Sequence, residues 1–456
     1  MTTTAVRTRM TTREWSMLFV LCGAIFLEGI NVAMLNVALP AIRADLGLST
    51  GELQWVMSAY VLGYGGFMLL GGRAADLYGR RRMFLGWLAV FMVVSALGGL
   101  ATEGWHLIAA RFAAGVAAAV MTPAGLSIIT TSFEEGPDRN KALLVYSGTA
   151  AGGFSLGLVL GGLLAIADWR WVLFAPAALS LAILVPAVSL IPKRDEVTGG
   201  TMDVAGAVTV TAAIMLLVFG VERAAHVGAG WTALSIGGGL ALLALFAAIE
   251  RRSPAPLVRL GLLRSAPLVR ANLAGLLFAG SFFGFQFVAV LYLQELRGWS
   301  SLETSLAMLA IGADAVLAPT LTPRLVDRYG NARVILAGLL LAVLSYALFL
   351  PIGADWPYAL MFPTMIILGL AFALAYGPLT IVGTDGVAEQ EQGLAGGLLY
   401  TSFQFGAALG LSATTAVLVA ASASGDQLAS YRTALAVPLA AALLAALVSV
   451  TRRVTR

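Results

Sequence analysis

Gly72-Arg73-Ala74-Ala75-Asp76-Leu77-Tyr78-Gly79-Arg80-Arg81-Arg82 interrupts a chain written almost entirely in apolar residues, and Pro323-Arg324-Leu325-Val326-Asp327-Arg328-Tyr329-Gly330-Asn331-Ala332-Arg333 repeats its frame far downstream. Each has an aspartate, a glycine three residues on and an arginine three after that: Asp76, Gly79 and Arg82, then Asp327, Gly330 and Arg333. Each also follows one long apolar run and precedes another. Two equivalent loops in two blocks of similar topology point to a parallel internal repeat, an arrangement that puts a substrate site at the membrane midplane between halves.

Outward from these loops, the template of about 20 apolar residues per membrane span places helices near 15–39, 53–72, 83–101, 106–131, 142–166 and 170–191. After the polar break Lys193-Arg194-Asp195-Glu196, two more runs lie near 204–222 and 231–249, and a second break from Glu250 to Arg270 carries five arginines. Six further runs lie near 271–294, 304–322, 333–352, 357–383, 393–423 and 430–451. The expected architecture is therefore an all-α integral membrane protein of fourteen helices. It divides into a six-helix bundle (1–192), a linker with two extra helices (193–267) and a second six-helix bundle (268–456). With 59% of 456 residues hydrophobic and 11% charged, against about a quarter charged in soluble domains, a soluble globule is excluded. The 51 glycines and 16 prolines suit membrane helices, where small residues admit close backbone approach and neighbours re-satisfy freed carbonyls.

The charged minority sets the orientation. Of 28 Lys and Arg, five (Arg43, Arg170, Arg223, Arg297 and Arg432) fall in the loops of one side, Arg111 falls within a span, and the remainder lie on the other side. This bias places both termini in the cytoplasm of a multi-pass protein of the cytoplasmic membrane. The apolar run after the first fifteen residues is too long for a signal-peptide core and reads as an uncleaved span. The net charge of +4 comes from short loops with no basic stripe, so no nucleic-acid partner is expected. The lone Cys22 and the well-separated His106 and His226 offer neither an internal disulfide nor a metal cluster. No G-x-x-x-x-G-K-[ST] phosphate loop occurs, which disfavours ATP-driven pumping.

These motifs resemble the major facilitator superfamily, and within it the fourteen-helix drug:proton antiporters, along nearly the whole chain. The loop signature G-x-L-A-D-R-x-G-R-R is matched by Gly72, Asp76, Gly79, Arg80 and Arg81, with Ala74 for Leu and Leu77 for Arg. The fourth-helix signature R-x-x-q-G stands as Arg111 and Gly115, with Ala114 for Gln. Leu35-Asn36-Val37-Ala38-Leu39-Pro40, Asp168-Trp169-Arg170-Trp171, Tyr292-Leu293-Gln294-Glu295 and Gly393-Leu394-Ala395-Gly396-Gly397 are similar to family segments. The resemblance implies alternating access by a functional monomer in membrane lipid, a small-molecule substrate, and the proton gradient as energy source without a cofactor. Two positions depart from the family: Leu158 replaces the proline of the fifth-helix antiporter signature, and Asn31 stands where the first helix usually carries an aspartate.

Acidic residues inside a bilayer are costly, so they are functional expectations by default. Glu28 lies fourteen residues after Glu14, about 21 Å along a helix, one turn from Asn31, and would carry the proton in place of the absent aspartate. Asp314 lies about 16 to 20 Å from Glu303 and Asp327 along its own helix and reads as a second proton site or a counter-charge for a cationic substrate. Arg111 needs an acceptor; the resemblance sets it beside the central cavity, responding to protonation of the first-helix acid. In the loops, Gly72, Asp76, Gly79, Arg80 and Arg81, with Asp327 and Gly330, are expected to clamp the cytoplasmic side, Asp76 accepting from a helix N-terminus where the dipole favours an anion. Gly153, Gly157, Gly161 and Gly162 would give the fifth helix a face for close packing. Asn31, Asn36, Gln54, Tyr60, Gln286, Tyr292, Gln294, Tyr400 and Gln404 are the expected cavity-lining residues. The function these imply is proton-driven export of amphipathic or hydrophobic small molecules, as in drug or antibiotic efflux. A metabolite facilitator or importer and a lipid flippase remain open on the same fold. No catalytic cluster suggests an enzyme.

Overall fold

Inside a bilayer the backbone has no water to bond, so each apolar run must satisfy its own N–H and C=O groups by coiling. The computed structural model describes residues 10–48, 50–193, 203–222, 228–253, 261, 264–388, 391–422 and 425–450, and among them every regular element is helical. The first six helices are α1 (Thr12–Leu46), α2 (Thr50–Tyr78), α3 (Arg80–Gly99), α4 (Gly104–Ser132), α5 (Pro137–Ala167) and α6 (Trp171–Leu190). The central pair is α7 (Val204–Glu222) and α8 (Ala229–Glu250). Then come α9 (Ala266–Leu291), α10 (Ser301–Met308), α11 (Asp314–Thr320), α12 (Thr322–Tyr329), α13 (Asn331–Phe349), α14 (Tyr358–Thr384), α15 (Gln392–Ser422) and α16 (Gln427–Ser449). Of the expected linker, residues 194–202, 223–227, 254–260 and 262–263 lie outside the described residues.

Thirteen of these segments are long and apolar enough to cross a membrane, and the central pair supplies a shorter apolar stretch, Val204–Leu217. One expected span is not a continuous α-helix: α10 and α11 are separated by a tighter 3₁₀ turn, Leu309–Ala313, and together form the span Leu302–Thr320. Local chemistry sets the ends. Thr11 and Glu14 form a capping box that starts α1, Ser300 and Glu303 do the same for α10, and each pair satisfies two orphan donors of a first turn. Gly79 and Gly330, the glycines shared by the two loops, both have positive φ (100° and 79°) and precede α3 and α13, so the repeated motif is a repeated turn that needs glycine.

The packing repeats as well. In the first set α1 lies on α5, α2 on α4, and α3 on α4 and α6; in the second, α9 lies on α15, α10–α11 on α14, and α13 on α14 and α16. The closest contacts in both sets are made through glycine. A Cβ on Gly153, Gly157 or Gly161 would come within 2.7, 2.8 and 2.6 Å of Phe26, Ala33 and Met34, so the expected stripe on α5 faces α1. Gly162 is half-buried beside that stripe. In the second set a Cβ on Gly406 or Gly410 would sit 1.9 Å from the Leu276 carbonyl or 2.1 Å from that of Gly280. The central pair packs on itself, and α7 also lies against α2 and α15, where Trp55 stacks on Phe219 at 5.9 Å.

Gly410→Leu should therefore lower stability in detergent by about 1–3 kcal/mol, the usual cost of overpacking. Gly86→Ala, where an added Cβ meets nothing within 4 Å, should leave the melting temperature the same or raise it slightly, since alanine favours the helix more than glycine.

Candidate functional site

Glu28, Arg111 and Asp314 lie within spans, and the fold gives each a different environment. Glu28 of α1 is half-buried. Five tyrosines lie within its electrostatic reach: Tyr60 and Tyr64 of α2, Tyr146 of α5, Tyr376 of α14 and Tyr400 of α15. They come from both sets of helices. An aromatic wall continues from there. Tyr376 meets Phe403 at 4.7 Å and Phe372 at 4.8 Å, and Phe372 meets Phe282 at 4.6 Å. Across the gap, Phe154 of α5 meets Phe283 of α9 edge-on at 6.2 Å. Apart from Tyr60 and Tyr400, none of these aromatics stood out in the sequence, because a Phe or Tyr in an apolar run carries no local sign of which way it faces.

Arg111 of α4 is 3% exposed and finds its acceptor in Asn31: its Nη1 donates to Asn31 Oδ1. Nε donates to the Val56 carbonyl at 3.3 Å, and the guanidinium lies 4.4 Å from the centre of the Tyr60 ring. An amide thus holds the guanidinium where the related family uses a carboxylate. The Tyr60 hydroxyl is buried without a partner, and Tyr60 is within electrostatic reach of both Glu28 and Arg111. Asp314, 2% exposed with Oδ1 unpartnered, opens α11 directly after the 3₁₀ turn. The residues that follow it lie against α5: a Cβ on Gly152 would touch Ala315 at 3.1 Å, and one on Gly148 would touch Ala318 at 2.9 Å.

The first loop clamps the two sets of helices together. Asp76 is 3% exposed; its Oδ2 accepts from the Leu394 N–H at 3.2 Å, one of the orphan donors in the first turn of α15. Its Oδ1 accepts from Arg80 Nε at 3.3 Å and from Ser127 Oγ at 3.4 Å. Nearby, Arg139 of α5 reaches Gln392 Oε1 at 3.4 Å and Glu135 at 3.1 Å. Arg81 serves its own side instead, donating to the Ile191 and Val188 carbonyls at the end of α6. Gly72 is buried, but the tight approach belongs to its neighbour: a Cβ on Gly71 would lie 2.4 Å from the Ala119 carbonyl, which Pro123 leaves without its usual helical donor.

Two expectations need correcting. Asp327 is exposed and has no hydrogen bond or ion pair among the described residues, so the second loop, including Gly330, keeps the turn without forming a clamp. Tyr292 does not line a central cavity: it is fully buried and its hydroxyl donates to the Gly353 carbonyl at 2.7 Å, fastening the face opposite the loops. Gln286, Gln294 and Gln404 are half-buried. The side chains of Asn36 and Gln54 lie outside the described residues.

Residues 21–411 match the model of the Major Facilitator Superfamily, and the chain belongs to that family. It is 35% identical over 443 residues to the cephamycin export protein CmcT of Amycolatopsis lactamdurans, covering 92% of this chain and 87% of that one. It is also 35% identical over 427 residues to the puromycin resistance protein pur8 of Streptomyces alboniger, covering 90% and 83%. Among solved structures, the human organic anion transporter MFSD10 (TETRAN) superposes with a TM-score of 0.72 at 16% identity, covering 97% of this chain and all of that one. The proton:xylose symporter XylE superposes with a TM-score of 0.64 at 15% identity over 94% of each chain. At those identities the likeness is one of fold.

Asp76→Asn removes a charged acceptor from α15, and impermeant reagents should label a cysteine placed in the central space several-fold faster from the loop side. Asp385, just past α14, is held above the ordinary carboxylate range by burial, with Arg139 working against the shift and Glu135 adding to it. The folded state therefore binds this proton more tightly than the unfolded chain. Stability should fall as pH rises from the ordinary carboxylate range through the raised value, and Asp385→Asn should flatten that part of a pH series of melting temperatures.

Proposed function

We propose that this protein is a proton-coupled exporter of amphipathic small molecules of the antibiotic type. The observation that carries this reading is Glu28, a carboxylate within a span and within electrostatic reach of tyrosines from both sets of helices, with a clamp joining those sets. Drug export and antibiotic resistance among its relatives support it. The arginine-rich side is cytoplasmic by the charge bias, so both termini lie inside a cytoplasmic membrane. Residues 1–192 and 268–456 rock as two halves about the Glu28 site, and 193–267 link them. The substrate and bilayer lipid are the partners this cycle needs; it runs in a monomer without cofactor or nucleic acid.

A substrate arriving from the cytoplasm displaces the proton on Glu28, the clamp re-forms behind it, and a proton from outside displaces the substrate in turn. Substrate and proton share one carboxylate, so neither half-cycle completes without the other. Asp314 supplies a second acid at the seam between α5 and α11. Arg111, held by Asn31, has no carboxylate to exchange with, so in this chain the coupling rests on Glu28.

In proteoliposomes, ethidium export driven by a pH gradient should fall at least about tenfold in Glu28→Gln, and substrate-induced proton release should vanish. Export that persists undiminished in that variant without a gradient would sink the antiport reading, and net uptake would favour the importer. Asp314→Asn should slow export of dications more than monocations; unchanged transport and pH dependence would remove it from the mechanism. Asn31→Asp gives Arg111 an anionic partner and should shift the pH profile of export, whereas a profile identical to wild type would show that Arg111 is purely structural.

A further inference from the structure

The central pair has no part in proton loading, yet α7 lies across one of the two seams where the halves meet. At this first seam α2 meets α15, and a Cβ on Gly397 would lie 3.0 Å from the Met68 carbonyl. Helix α7 covers the line: Met215 fills the space over Gly66, and Phe219 stacks on Trp55. Leu69 of α2 and Leu394 of α15, 5% and 2% exposed, are buried in one apolar cluster with Val210 and Ile214 of α7 and Phe246 of α8. An acyl chain reaches this seam only by displacing α7.

At the second seam α5 meets α11, and the joint is made of small residues. A Cβ on Gly148 would lie 2.9 Å from Ala318, one on Gly152 3.1 Å from Ala315, and one on Gly312 2.8 Å from Ser155 Oγ. Leu156 and Val316, next in the chain to Ser155 and Ala315, are 44% and 66% exposed, so this joint borders the lipid directly. Three kinds of oxygen line it. Pro319 leaves the Ala315 carbonyl without its usual helical donor, and that carbonyl lies 3.9 Å from the Gly148 Cβ position. Ser155 brings a hydroxyl. Asp314, one residue before Ala315, brings a buried carboxylate whose Oδ1 is unpartnered.

We propose that the central pair seals the α2–α15 seam against the bilayer, so that a lipid-dissolved amphiphile enters between α5 and α11, where Asp314, the Ala315 carbonyl and Ser155 receive its protonated amine. The chemistry of the joint selects that head group. Acceptor oxygens with one negative charge suit an ammonium that keeps an N–H to donate. The small side chains on either side leave room for an apolar tail once the joint parts. The span can also bend there, because the 3₁₀ turn Leu309–Ala313 lies directly before Asp314 and Pro319 lies five residues after it.

The portal rests on the alternating-access reading above, and its test is separable from transport. Cys22 is the only cysteine, so in a Cys22→Ser chain Ala318→Cys reports the α5–α11 joint and Leu69→Cys the α2–α15 joint. Pyrene maleimide dissolved in the liposome bilayer is the probe, with each rate scaled to that of the unfolded chain. Ala318→Cys should label about tenfold faster than Leu69→Cys, the ratio for local opening that differs by about 1.4 kcal/mol. Adding Met215→Ala and Phe219→Ala should close that gap by exposing Leu69→Cys. Dodecyldimethylamine, protonated at neutral pH, should slow the labelling of Ala318→Cys several-fold. Dodecyltrimethylammonium, which has no N–H, should protect less, and Asp314→Asn should abolish the protection. Equal labelling of the two cysteines overturns the one-sided seal, whether or not the α7 variant folds. Equal protection by the quaternary salt, or protection that survives Asp314→Asn, overturns the amine site. If wild type exports no ethidium while labelling responds as described, the export reading falls and the portal stands.

Discussion

A buried carboxylate reaching into the first turn of a helix from the other half of the protein, Asp76 against α15, is the contact on which this arrangement depends. A hydrogen bond to a charged group is worth about 1.5–3 kcal/mol, and the positive end of the α15 dipole adds a fraction more. That is enough to hold one face shut, and small enough for the differential binding of a ligand or proton to reverse. A larger covering of apolar surface would be a permanent interface. The clamp is therefore polar, localised and built from backbone donors that any helix start offers.

The helices, their number and their repeat were legible because each rests on a local property: about twenty apolar residues for a span, and a glycine where the turn needs positive φ. The site was legible only in part. Glu28, Arg111 and Asp314 stood out because charge in an apolar run is costly, and each is buried or half-buried in the spans. What faces them was not legible. Tyr146, Tyr376, Phe372 and Phe282 look in sequence like any other apolar-run aromatics, and their convergence is decided by helix rotation and by contacts hundreds of residues apart. The two loops show the same limit from the other side. Asp76 and Asp327 share a motif, yet one is buried against α15 and the other is exposed, because the motif encodes a turn and an acid but not the partner opposite.

Asn31 shows how one substitution redistributes work. A buried guanidinium without acceptors would be among the most expensive groups in the membrane, and here an amide oxygen, a carbonyl and an aromatic face share it. Each is neutral, so the arrangement solvates Arg111 without cancelling its charge. An aspartate at that position would have tied protonation to an ion pair. With asparagine there, Arg111 has a neutral partner, and the carboxylate of α1 lies one helical turn away at Glu28.

The distribution of close contacts then dictates which parts can move. Within each half, backbone meets backbone through glycine, at α5 on α1 and at α15 on α9, where no side chain can adjust and sliding would produce immediate overlap. Between the halves, the contacts are a carboxylate on an N–H, an arginine on an amide, small or aromatic side chains, and a looser glycine approach in which a Cβ on Gly397 would lie 3.0 Å from the Met68 carbonyl. Hydrogen bonds and ring contacts can be exchanged one at a time, whereas interlocked backbones cannot. Motion is therefore confined to the seam between halves, and α7, lying against both α2 and α15, spans one side of that seam. The glycines that stiffen each half thus matter to the seam as well, because a rigid body is what allows a few polar contacts to decide which face is open.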